Sequence, residues 1–535
     1  MSQVANELAL KARLRALQEI AIELMSPREL HATLSLIVEK AVDLLIADAG
    51  SLYIKEAQSD FLVFEVAVNR SICFPFEKKS IPISDRGLAT FCFKSGRLIK
   101  VEDVYQIPSE TDYKFDPAFD KKFRYRTRSS LVIPLKSSKG QMLGVIQLLN
   151  RKMSVGEAWP SSDETELSKM PDFTDEDTAL LESFAGIASS AIESALLHRD
   201  IENLFEGFVR ASVHAIEARD PTTRGHSERV AALTVDLAEK VSRSNDEGVK
   251  HIQYNSDQIA EIRYAALLHD FGKIGVREAT LLKEEKLSPV QRLQIRHRLS
   301  EFKRAMEIEV LRDYLGRLVL ESRVPTQMEF ARLEKDISDF GLKIEDAWAV
   351  ILDLNRPTVL THDRSEKLTK VSHLNCKDCD GNLKPMLESD EIFSLSIPKG
   401  SLTKEERLEI ESHVVHTVAF LKKIPWTAKF ANVPLIAGTH HERLNGTGYP
   451  SATPEIYIPD QARMMAVCDI FDALAANDRP YKPAVPLEKA LAIIESHSKA
   501  RDLDERFFKV FVEGKVWQTP GFVLHQADVK AKKVA

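Results

Sequence analysis

Cysteine is scarce in this chain: Cys73, Cys92, Cys376, Cys379 and Cys468 are the only five in 535 residues, an odd number and mostly far apart. A secreted fold held by disulfides is therefore not expected, and a reducing compartment is. Glycine and proline are also few, 21 and 23, which excludes fibrous and low-complexity architectures. No apolar stretch approaches the roughly 20 residues of a membrane span, and Met1 to Lys11 has no run of signal-peptide type. The expectation is a cytoplasmic chain that crosses no membrane. An excess of positive charge is missing too: 73 Lys and Arg face 80 Asp and Glu, a net charge of -7, so a protein that coats nucleic acid is excluded. Histidine is almost absent from the first 200 residues, where only His31 and His198 occur, leaving 13 of 15 for the remainder. Any metal chemistry belongs to the C-terminal part.

What is present is ordinary globular material, 44% hydrophobic and 29% charged, long enough for two to four domains at about 100 to 200 residues each. Leu8, Leu10, Leu14, Leu17, Ile20, Ala21 and Leu24 recur at helical spacing, and a second helix is expected from about Pro27 to Ile46. The period then becomes that of strands at 51–55, 61–68, 129–136 and 143–150, with Ser137-Ser-Lys-Gly140 as a hairpin turn, which predicts a mostly antiparallel sheet. From Asp175 a helical pattern returns, with Leu181, Phe184, Ala188, Ala191, Ala195, His198, Phe205 and Phe208 near a 3.5-residue repeat and no proline before Pro221. Such a stripe predicts a connecting helix that pairs with a second copy of the chain.

The strand Ser129-Ser-Leu-Val-Ile-Pro-Leu135, the strand Leu143-Gly-Val-Ile-Gln-Leu-Leu-Asn150 and Phe173-Thr-Asp-Glu-Asp177 at the head of the last helix resemble a GAF domain, over roughly residues 15 to 200. That resemblance implies either a sensor for a small ligand or a dimerisation module without one. Asn150 is followed by Arg151 rather than the Lys usual in cyclic-nucleotide-binding members, which weakens that assignment. Cys73 and Cys92 read as small core hydrophobes.

Seven residues carry the expected chemistry. His269-Asp270 ends the apolar run Tyr264-Ala-Ala-Leu-Leu268, where an ionised carboxylate is costly unless paired or metal-bound. His440-His441 follows Val433-Pro-Leu-Ile-Ala-Gly-Thr439, Asp469 follows Met464-Met-Ala-Val-Cys468, and His226 and His413 stand apart. Imidazole and carboxylate without thiolate suit iron, manganese or zinc, and adjacent His-Asp and His-His pairs can serve two metals. By contrast, Cys376-Lys-Asp-Cys379 offers two thiolates where zinc takes four ligands, and it reads as a reduced turn.

The runs His269-Asp-Phe-Gly-Lys-Ile-Gly-Val276, His440-His-Glu-Arg-Leu-Asn-Gly-Thr-Gly-Tyr-Pro450 and Asp469-Ile-Phe-Asp-Ala-Leu474, with Asp478-Arg-Pro-Tyr-Lys482, resemble an HD-GYP domain over about residues 205 to 515. The resemblance implies a phosphodiesterase that opens cyclic di-GMP to pGpG and on to GMP. A silent receptor and an enzyme for another cyclic dinucleotide, such as cyclic GMP-AMP, stay open as alternatives. It further implies two divalent ions, iron first and manganese second, held by His226, His269, Asp270, His413, His440, His441 and Asp469, with Asp270 bridging. Lys273, Arg479 and Lys482 are then contacts for phosphate or guanine, Lys273 acting beside Asp270 in catalysis. Tyr449 lines the pocket, and Gly448-Tyr449-Pro450 is either a docking surface for diguanylate cyclase domains or a tight turn without a partner.

Three departures bear on this. The ligand between the His-Asp and His-His pairs is either His297, 27 residues after Asp270, or His413, 27 residues before His440, and the Leu402-Thr-Lys-Glu-Glu406 lead-in favours His413. The third-metal position of some members is Thr222, and the usual Asp of the Gly-Tyr-Pro run is Asn445. The expected architecture is a multidomain α+β chain. It comprises a GAF domain with its N-terminal helix at 1–182, a connecting helix at 183–218, an all-α HD-GYP domain at 219–515 with an insertion at about 298–400, and a tail at 516–535. A homodimer through helices 1–27 and 175–218 is expected.

Overall fold

Alternating apolar residues fold into six strands: β1 (Ala47–Lys55), β2 (Phe61–Asn69), β3 (Lys79–Pro82), β4 (Ile99–Val101), β5 (Ser130–Lys136) and β6 (Met142–Arg151). They form one antiparallel sheet in the order β3-β2-β1-β6-β5-β4. Alternation predicts β1, β2, β5 and β6; β3 and β4, of four and three residues, are too short for a period to show. The computed structural model describes residues 15–26, 28–56, 59–160, 164–220, 223–476 and 484–519. The chain divides into two compact units, residues 1–206 and 207–535.

In the first unit, helix α1 (Leu30–Leu44) lays Leu34, Ile37, Val38, Ala41 and Val42 on one face of the sheet, since these positions fall on one side of a 3.6-residue helix. The other face is covered by α2 (Leu88–Ser95), whose Cys92 is fully buried and whose thiol is pushed up to about 12 by that burial. Cys73, read from sequence as a core residue, is exposed instead, because it lies in the loop after β2. The long helix α3 (Asp175–Arg219) contributes Leu181, Phe184, Ala188 and Ile192 to the first core. It is held at its start by Asp177, which accepts from Thr174 N at 2.9 Å and from Arg151 Nε at 2.7 Å. Further along, Leu197, Ile201, Leu204 and Phe208 are exposed at alternating spacings of four and three. By length and composition α3 is also apolar enough to cross a membrane, with 44% of its most apolar window buried within the chain. Of the expected N-terminal helix, residues 15–24 are helical and place Ile20 and Leu24 in this core, while Leu8, Leu10 and Leu14 lie outside the described residues.

The second unit is built from α4 (His226–Arg243), α5 (Ser256–Leu268), α6 (Pro289–Glu321), α7 (Gln327–Asn355), α8 (His362–Ser372), α9 (Ser389–Leu395), α10 (Lys404–Glu411), α11 (His413–Leu421), α12 (Val433–Gly438), α13 (Asp460–Ala475), α14 (Leu487–Lys499) and α15 (Glu505–Glu513). It is not all helix, as the sequence suggests: β7 (Asn375–Lys377) and β8 (Leu383–Pro385) pair as a short hairpin. Cys376 lies on β7 and Cys379 in the turn, both free thiols.

Helices α6 to α9 have a core of their own, made of Leu287, Ile295, Leu299, Phe302, Ile344, Ile351, Leu354 and Leu395 among others. This core takes in Leu287 and Ile295, which precede the position at which motif spacing places the insertion. The two ends of the inserted segment meet: Ser401 Oγ donates to Lys283 O at 3.0 Å, and the buried Lys286 ammonium donates to Leu395 O and Ile397 O at 3.2 and 2.8 Å. Beyond this core the α6–α7 hairpin buries no residue from 306 to 332.

Candidate metal centre

His269 stands at the C-terminal end of α5, where the last turn leaves carbonyls without helical partners. Its Nδ1 donates to Ala266 O at 2.7 Å. His440, just past α12, does the same to Ala437 O at 2.7 Å, and His413, at the α10–α11 break, to Ile410 O at 2.6 Å. A carbonyl only accepts, so in each ring the proton sits on Nδ1 and Nε2 presents a bare lone pair. All three Nε2 atoms are buried without a hydrogen-bond partner. Three orphaned acceptors in one pocket are costly unless a cation takes them.

The donors form two groups, His226–His269–Asp270 and His413–His440–His441, with the ligating atoms of each within 4.8 Å of one another. Asp270 faces both: Oδ1 is 3.2 Å from His413 Nε2, and Oδ2 is 3.5 Å from His269 Nε2 and 3.8 Å from His226 Nε2. Asp469, in the middle of α13, does likewise, with Oδ1 3.1 Å from His226 Nε2 and 4.0 Å from His269 Nε2, and Oδ2 4.0 Å from His441 Nδ1. The imidazole and carboxylate donors of this pocket fit divalent transition metals, and the two shared carboxylates fit a pair of them.

Electrostatics keep three of the imidazoles and both carboxylates in ligand form. Burial depresses the His269 and His440 pKa values and brings His441 down to about 4, so these imidazoles are neutral near pH 7. Burial opposes ionisation of Asp270 and Asp469, but the Lys273 ammonium beside the first and the His226 imidazolium beside the second hold both well below the usual carboxylate range. At His226 burial is outweighed by hydrogen bonds to Asp469 and Asp472, which raise it to about 9.

The Phe271–Gly275 turn brings Lys273 Nζ to 2.7 Å from Asp270 Oδ2 and 3.8 Å from Asp220 Oδ2. Gly272 is required by a close approach: a Cβ would lie 1.8 Å from His413 O, and its N–H donates to Thr417 Oγ1, which itself donates to His269 O. Helices α5 and α11 are thereby locked with their histidines side by side. The Tyr449 ring lies 4.7 Å from that of His441. Its loop is anchored by Glu442, whose carboxylate accepts from Ser451 N, Thr453 N and Thr453 Oγ1, and Gly448 lets the loop cross at 2.5 Å from Glu442 Cα where a side chain would begin. Asn445 donates to Asp502 Oδ1 at 2.8 Å, a bond that an aspartate could not make.

Of the two contenders for the middle ligand, the structure brings His413 into the pocket and leaves His297 exposed on α6. Arg479, Lys482 and Thr222 lie outside the described residues. Sequence reasoning missed Arg229 and Asp472. Their signal is spacing, three residues after His226 and Asp469 respectively, which is one helical turn.

Residues 29–192 match the family model described as GAF domain, and residues 223–339 and 389–506 match two models described as HD domain. The chain is 40% identical over 98 residues to the 3'3'-cGAMP-specific phosphodiesterase 3 of Vibrio cholerae, covering 18% of this chain and 20% of that protein. It is 38% identical over 105 residues to a cyclic di-GMP phosphodiesterase of the same organism, covering 19% and 21%, and 39% identical over 105 residues to one from Thermotoga maritima, covering 18% and 26%. The matches thus span about a fifth to a quarter of each relative. The chain thus carries a GAF domain and HD-domain regions, and its HD part is similar to that of cyclic dinucleotide phosphodiesterases.

Proposed function

We propose that this chain is a metal-dependent phosphodiesterase that opens cyclic di-GMP to pGpG and on to GMP, under control of its GAF domain. The observation that carries this reading is the pocket itself: three buried Nε2 lone pairs, and two carboxylates that each face both donor groups. A receptor without catalysis has no need of that arrangement. His226, His269, His413, His440, His441, Asp270 and Asp469 would hold two divalent ions, iron or manganese, with Asp270 shared. Bound there, the ions would lower the pKa of an attacking water and neutralise the phosphodiester oxygens.

The chain's own groups do the rest. The neutral imidazoles of His269, His440 and His441 leave the two aspartates as the anionic donors, and Lys273, 2.7 Å from Asp270, is placed to meet a phosphate oxygen beside that carboxylate. Tyr449 offers a flat wall for a guanine base. Arg479 and Lys482 are proposed as further phosphate contacts. The exposed Leu197, Ile201, Leu204 and Phe208 of α3 support a homodimer in which the GAF domain acts through paired helices.

The test is to load the protein with iron or manganese, add cyclic di-GMP, and follow pGpG and GMP by chromatography. Full metal load without product would overturn the proposal. A second reading, hydrolysis of 3'3'-cyclic GMP-AMP, is favoured by two relatives named as specific for it. Competition between the two dinucleotides decides between the readings, through which of them has the larger kcat/KM.

A further inference from the structure

Three of the pocket histidines take their orientation from a backbone carbonyl three residues earlier in the chain. His226 does not: it is the first residue of α4, behind the left-handed cap residue Gly225. Its Nδ1 instead meets a carboxylate on another helix, Asp472 Oδ2, at 2.7 Å. Asp472 is 1% exposed and itself clasped by Arg229, whose Nε donates to Oδ1 at 2.6 Å and whose Nη2 donates to Oδ2 at 3.0 Å.

The arrangement is a crossed pair of one-turn spacings. His226 and Arg229 are three apart on α4; Asp469 and Asp472 are three apart on α13. Residues at that spacing share a helix face, so one helix presents imidazole and guanidinium and the other two carboxylates. Asp472 receives the Nδ1 side of the ring while Asp469 stands 3.1 Å from its Nε2 side. A carboxylate behind a ligating imidazole fixes the tautomer and ring plane and makes the ring a stronger donor. Arg229 gives Asp472 the charged, bidentate partner that a fully buried carboxylate requires.

We propose that Asp472 is the positioning residue of His226, that Arg229 holds it in place, and that the pair sets the affinity of the His226–His269–Asp270 group for its ion independently of the His413–His440–His441 group. This rests on the metal-binding reading above. Two consequences separate it from a general packing role. Removing the Asp472 carboxylate weakens one ion and spares the other. Retaining an acceptor oxygen without the charge gives an intermediate result.

The experiment measures manganese binding by titration calorimetry and bound metal per chain by elemental analysis, on the full chain, for Asp472→Ala, Asp472→Asn and Arg229→Lys. Folding is checked by circular dichroism and by melting of the metal-free protein. The expected result is that Asp472→Ala weakens one of two sites by about 10- to 100-fold, that Asp472→Asn and Arg229→Lys fall between it and the parent protein, and that the second site is unchanged. Two full-affinity sites in folded Asp472→Ala and Asp472→Asn proteins would overturn the inference. So would equal weakening of both sites accompanied by a lowered melting temperature in all three variants. If the parent chain itself binds no metal, the metal-binding reading fails, an outcome distinct from either.

Discussion

Gly272 and His413 show how narrow the tolerance of this pocket is. A methyl group at 272 would lie 1.8 Å from His413 O and 2.4 Å from Thr417 N, so Gly272→Ala has to drive α11 away from the turn after α5. Overpacking of this kind costs about 1–3 kcal/mol, and the displaced histidine would lose its place beside Asp270. Gly272→Ala is therefore expected to lower both the melting temperature and the bound metal, measured by calorimetry and elemental analysis. A variant that melts as the parent does would refute the close packing. His413→Ala and His297→Ala divide the two contenders at the same scale. With its Nε2 3.2 Å from Asp270 Oδ1, His413 should cost the protein one ion when removed, whereas the exposed His297 should cost none. Metal content of the two purified variants is the measurement.

Among the elements, the insertion from α6 to α9 is the most separable. It has its own core, and its ends are joined by the Ser401–Lys283 bond at 3.0 Å, with Lys283 also paired to Glu406 at 2.8 Å. Closing so small a gap with a few residues costs little loop entropy. Replacing residues 284–400 by a short Gly-Ser linker should thus leave a folded protein that still binds metal, read by circular dichroism and elemental analysis. Loss of the fold would mean that α6 to α9 support the pocket helices, which their separate core argues against. The pocket helices themselves are tied to one another: Asn432 N donates to Glu261 Oε1 at 2.8 Å, which fixes the start of α12 against α5.

For the whole molecule, the one element that runs from the first unit into the second is the long helix. Helix α3 runs through 45 residues, and its exposed Leu197, Ile201, Leu204 and Phe208 follow the four-three spacing of a coiled-coil seam. Replacing Ile201 and Leu204 by Asp removes two apolar contacts from each copy, each worth about 1.5–3 kcal/mol when fully buried. The double variant is expected to shift the chain from dimer to monomer by light scattering, with its metal content unchanged. A dimer of unaltered mass would place the interface elsewhere. Should a monomeric variant keep its activity but lose its response to an added GAF ligand, pairing of α3 would be the route of control.

Much of this was legible in the residues alone. Strands β1, β2, β5 and β6 announce themselves by alternation and α3 by its repeat, because burial of one face imposes a period on any long element. Five of the seven pocket residues stand out because imidazole and carboxylate at the ends of apolar runs are costly without a partner, and His226 and His413 are reached through the motif resemblance. Other features depend on distance through space, which no period encodes. The Leu402–Glu406 lead-in favours His413 over His297 in the sequence, but only the folded chain shows His413 lying against Asp270. The exposure of Cys73 follows from a loop that one residue cannot reveal, and no period tells which core Leu287 and Ile295 join. The Asp472–Arg229 clasp on His226 joins residues 243 and 246 positions apart. A hydrogen bond between two helices is set by how they pack, and packing is a property of the folded chain rather than of its order of residues.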